Sequence, residues 1–80
     1  MGMSMIKRAS IIWGRPERFV RGTLQHGKVD WGYAFKKEGN LHYEYHIEDD
    51  LLRQYVGEEK WQEGLVKVEE YKKTALLSTA

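Results

Sequence analysis

The spacing of apolar residues changes at Gly27, and that change constrains the fold more than any other feature of the chain. Before it the period is helical. From Met5 to Trp13 the apolar side chains at 5, 6, 9, 12 and 13 share one side, with Lys7, Arg8 and Ser10 on the other. Gly14, free to adopt positive φ, ends this helix. Pro16 opens a second helix where no N–H donor is needed, and that helix runs to Gly27. At about 100° per residue, Phe19, Val20, Thr23 and Leu24 share one arc, and Arg15, Arg18, Arg21 and Gln25 share the opposite one.

After Gly27 the period is two. Residues 33–37 (YAFKK) alternate, and residues 41–47 (LHYEYHI) put Leu41, Tyr43, Tyr45 and Ile47 on one face, with His42, Glu44 and His46 on the other. Glu38-Gly39-Asn40 between them has the chemistry of a tight hairpin turn. Helix returns in EDDLLRQYV, whose acidic first turn suits the N-terminal dipole, and Gly57 breaks it. The last segment sets Trp61, Leu65, Val68, Tyr71, Ala75 and Leu76 on one helical stripe. Gly64 weakens that helix, and residues 65–69 also fit a strand.

Eighty residues support one small domain. The absence of cysteine excludes disulfides and thiolate metal sites and fits a reducing cytoplasm. No stretch reads as a membrane span or a targeting signal. Residues 1–4 are expected to stand outside the fold, disordered or added by cloning. Residues 5–57 form the domain, and residues 58–80 a helix for packing, dimerisation or partner binding. The expected core is Ile6, Ala9, Ile12, Trp13, Phe19, Val20, Leu24, Phe35, Tyr43, Tyr45, Ile47, Leu51 and Leu52, with Tyr33 also inside. Charge is uneven: residues 1–47 hold eight Lys and Arg against four acids, and residues 48–80 five against eight. A basic front and an acidic back suit one polyanion-facing side.

HYEYH invites a metal reading, which strand geometry disfavours. His42 and His46 would stand roughly 13 Å apart on a flat strand, too far to share one ion. Ser4, Ser10 and Ser78 lie in no nucleophile elbow, no phosphate loop is present, and His26 fits the end of the second helix as a cap. No catalytic residue, metal or cofactor is expected, and an enzyme is disfavoured.

Helix, turn, helix and two-stranded hairpin, followed by C-terminal helices, is the order of an α+β winged helix-turn-helix. The run from Trp13 to Gly57 resembles the small excisionase-type proteins of phages and integrative elements in Gram-positive bacteria, within the broader MerR-like winged-helix group. The resemblance rests on Gly14, Phe19-Val20-Arg21, Leu24-Gln25 and Gly27, then Gly32, Ala34 and Lys36, then Tyr43, Tyr45 and Ile47 leading into Leu51, Leu52 and Tyr55. It covers residues 5–57. The first helix is more basic and aromatic than is usual there, and Val29-Asp30-Trp31 stand where the family carries a proline and an aromatic.

The resemblance implies sequence-specific binding of double-stranded DNA, first as an excisionase that directs an integrase, otherwise as a transcriptional regulator of a mobile element. On that reading Arg18, Arg21 and Gln25 enter the major groove, with Glu17 at the edge of that face. Arg15 flanks them, and Lys7, Arg8 and Lys28 are candidates for phosphate contacts. Lys36, Lys37 and Asn40 form the wing tip. Trp61, Leu65, Val68, Tyr71 and Leu76 are the candidate surface for an integrase or for a second copy of the chain. A protein-interaction module acting through that last helix is the competing class.

Overall fold

The computed structural model describes residues 3–39 and 41–78, with side chains described to residue 75. Met1, Gly2, Asn40 and the side chain of Leu76 lie outside this description. The chain is α+β, with four helices and one two-stranded antiparallel sheet among the described residues.

Helix α1 (Met5–Trp13) starts at Ser4, whose hydroxyl accepts the Lys7 N–H at 3.1 Å. That is an ordinary N-cap, so Ser4 belongs to the fold rather than to a loose leader. Gly14 ends α1 in the left-handed region (φ 80°), its N–H bonded to the Ser10 carbonyl at 2.8 Å. Helix α2 (Glu17–Gln25) follows at once. Pro16 is its N-cap rather than its first turn, and the Pro16 carbonyl accepts from Phe19 and Val20.

Strands β1 (Gly32–Phe35) and β2 (Glu44–Ile47) pair Gly32 with Ile47, Tyr33 with His46, Ala34 with Tyr45 and Phe35 with Glu44. The strands are shorter than expected. Residues 36–39 and 41–43 lie between them, and of the expected turn Glu38 and Gly39 are in turn conformation, Gly39 at φ 82°, while Asn40 lies outside the described residues. Gly32, Ala34, Tyr45 and Ile47 share the inner face, and a Cβ on Gly32 would stand 2.8 Å from Leu24 Cδ2. The hairpin therefore lies directly on α2.

Helices α3 (Asp49–Val56) and α4 (Glu58–Ser78) are separated by Gly57. Residues 65–69 are helical, so the strand alternative is not realised. The mid-helix glycine has a packing reason: a Cβ on Gly64 would lie 2.8 Å from the Ile12 Cα, so its absence lets α4 cross α1 backbone to backbone.

One core results, formed by Ile6, Ala9, Ile12, Val20, Leu24, Trp31, Leu52, Trp61 and Val68, with Trp13, Tyr45 and Ile47 packed around it. Five expected core residues are instead exposed: Phe19, Tyr33, Phe35, Tyr43 and Leu51. The reasons are geometric. Trp31 fills the centre at 0% exposure, and Trp13 meets it edge-on at 5.3 Å. Phe19 is left to stack on the outer side of Trp13 at 5.4 Å. The strand register sends Tyr33 and Phe35 outward, Tyr43 precedes β2, and α3 turns Leu52 inward in place of Leu51.

Candidate nucleic-acid interface

Helix α2 buries Val20 and Leu24 and leaves its opposite side to solvent. Arg15, Arg18, Arg21 and Gln25 are all exposed on or beside it. Arg18 makes no ion pair among the described residues. Arg15 lies over the Phe19 ring, 5.2 Å from its centroid, which fixes the guanidinium without neutralising it.

The remaining residues of this side are engaged internally. Glu17 sits between Lys7 (3.7 Å) and Arg21 (3.8 Å), so its negative charge is offset on both sides. At these lengths, and with this exposure, the contacts are weak and exchangeable. Gln25 Nε2 donates to the Tyr45 hydroxyl at 2.6 Å, tying the end of α2 to β2.

The candidate phosphate contacts separate. Arg8 donates to Asp49 at 2.7 Å and lies over the Trp61 ring, so it serves the joint between α1, α3 and α4. Lys7 lies over the Tyr71 ring, 4.8 Å from its centroid. Lys28, three residues past the end of α2, is exposed, with no ion pair among the described residues. On the hairpin, Lys36 stands over the Tyr43 ring and Lys37 lies 3.7 Å from Glu44. Both lysines project from the loop. Asn40 lies outside the described residues.

The stripe assigned to a partner is largely consumed within the chain. Trp61 and Val68 are buried in the core, Leu65 is half-buried against it, and Tyr71 is exposed beneath Lys7. The cause is the close α1–α4 crossing at Gly64, which draws Trp61 and Val68 on either side of it against α1.

Sequence reasoning missed two features. One is a shallow recess of about 460 Å³ on the free side of α2, lined by Arg18, Phe19, Gly22, Thr23, His26 and Lys28. The helical angles place Gly22 at the middle of that side, so the signal was present. The other is an outward stack on the hairpin, where Tyr33 meets Phe35 at 5.9 Å and His46 at 5.2 Å. His46 also bonds Glu48 at 2.7 Å, while His42 lies in the loop before β2. Among the described residues no three His, Asp or Glu side chains converge as metal ligands would.

One carboxyl is perturbed. Hydrogen bonds from Gln62 and Arg53 hold Glu58, at the start of α4, below the usual carboxylate range. It lies at the joint between α3 and α4 rather than on the α2 side. Among the described residues no helix is long and apolar enough to cross a membrane. Comparison with protein-family models, curated proteins and solved structures gives no match, so the interface rests on its own residues.

Proposed function

We propose that the chain is a winged helix-turn-helix protein that binds double-stranded DNA, with α2 in the major groove and the hairpin loop beside it. One observation carries this: α2 is held from one side only, by Val20 and Leu24, and its free side offers arginines that no internal carboxylate neutralises in full. A helix so mounted fits a major groove about 12 Å wide, and an unpaired Arg18 suits the O6 and N7 acceptors of guanine. Lys28, Lys36 and Lys37 fit phosphates on either side.

The site residues carry different weights. Arg18 is the principal base reader, with Arg15 and Arg21 flanking it. Glu17 and Gln25 position neighbours, because each already has a partner within the chain. Arg8 is structural. The first role proposed is that of an excisionase of a mobile element, with transcriptional regulation as the alternative. An interaction module built on α4 is less favoured, because Trp61 and Val68 already lie inside the chain's own core.

The test is selection of bound duplexes from a random pool, followed by titration of the selected site against salt. With four to six phosphate contacts, log affinity should fall against log salt with a slope of about −4 to −5. Arg18→Ala should relax base preference, while Lys37→Ala should weaken all sequences alike. Failure to enrich any site, or affinity that ignores salt, rejects the reading. Footprint symmetry and bend then separate the two roles: adjacent direct repeats with bending fit an excisionase, and inverted half-sites one helical turn apart fit a regulator.

A further inference from the structure

Two of the glycines outside the turns are explained by internal packing, and a third is not. Gly32 and Gly64 each lie where a Cβ would collide, with the His46 carbonyl at 2.7 Å and the Ile12 Cα at 2.8 Å respectively. Gly22 lies in the middle of α2, does not adopt positive φ, and a Cβ there would meet nothing within 4 Å. Glycine inside a helix weakens it relative to alanine. No internal contact among the described residues accounts for its presence.

Gly22, Phe19 and Thr23 line the recess on the free side of α2 together with Arg18, His26 and Lys28. The lining surface is mostly apolar, three of its residues carry basic side chains, and Phe19 is 44% exposed although it is aromatic. An apolar notch within a cationic frame is complementary to a nucleobase edge that carries a methyl group beside phosphates. In the major groove only thymine presents one, and phenylalanine is among the side chains that meet it.

We infer that the Gly22 notch reads thymine: the missing side chain lets the base edge approach α2 closely, and Phe19 packs on the 5-methyl group. Phe19 and Gly22 are thus specificity-determining positions next to Arg18. This rests on the DNA-binding reading above.

The experiment uses the duplex obtained by selection, with each thymine replaced in turn by deoxyuridine, which removes only the methyl group. The parent chain should lose about fourfold in affinity at one position, the value of one buried methyl. Phe19→Ala should bind the thymine and uracil forms of that position alike. Gly22→Ala should melt at a higher temperature than the parent, as a better helix former in open space, and yet bind the thymine duplex more weakly.

The inference is overturned if no thymine replacement matters, if the selected site has no preferred A·T pair, or if Gly22→Ala binds as well as the parent. Should the parent bind no duplex at all, the DNA-binding reading falls and this inference with it. Should Arg18→Ala weaken binding while the thymine and Gly22 experiments show no effect, only this inference falls.

Discussion

Trp31 shows how a single residue organises this chain. It is wholly buried, meets Trp13 and Tyr55 through its ring, and its indole N–H has no hydrogen-bond partner among the described residues. A buried donor without an acceptor costs about 1–3 kcal/mol, while burial of the ring contributes more than that. Trp31→Ala should therefore destabilise by about 3–5 kcal/mol, from the lost burial of the ring together with the cavity it leaves. Trp31→Phe should cost much less, because it removes the orphan donor along with some volume. Urea unfolding of the two variants checks the pair, and equal losses would mean the ring is not the packing centre.

Among the elements, the two helical glycines make opposite predictions. Gly64→Ala places a Cβ within 3 Å of Ile12 and should destabilise by about 1–3 kcal/mol, although alanine is the better helix former. Gly22→Ala has open space and should stabilise by a few tenths to about 1 kcal/mol. A Gly64→Ala variant that melts at or above the parent would contradict the α1–α4 crossing, and a Gly22→Ala variant that melts below it would contradict the open space at Gly22. The start of α4 adds a pH dependence. The Glu58 carboxylate is favoured in the folded state by Gln62 and Arg53, so its contribution is present above the ordinary carboxylate pKa and fades as pH falls through the lowered folded value. The parent and Glu58→Gln should differ in melting temperature near neutrality and converge in acid. The group is exposed, so the difference should be small.

For the whole molecule, stability and binding should separate. Leu24 is the buried anchor of α2 and also touches Gly32 of the hairpin, so Leu24→Ala should cost about 2–5 kcal/mol. A domain of this size has little margin, and such a loss should leave it largely unfolded near 37 °C. Arg18→Ala touches none of the core and should melt like the parent while altering duplex selection. A melt of Leu24→Ala that matches the parent would show that the hairpin and α2 do not share a core.

The sequence by itself determined the order of helices and strands, but not the helix at residues 65–69, which also fitted a strand, nor the strand lengths. Apolar periodicity and glycine punctuation are local properties, and both helix ends at Gly14 and Gly57 follow from them. It also determined that α2 carries arginines opposite Val20 and Leu24, since angular position on a helix needs only spacing. Tertiary structure alone decided that Phe19 and Phe35 stay outside while Trp31, Trp61 and Val68 go in. Those outcomes depend on which strand residues pair and on how closely two backbones cross at Gly64, and long-range contacts of that kind leave no periodic trace in the chain.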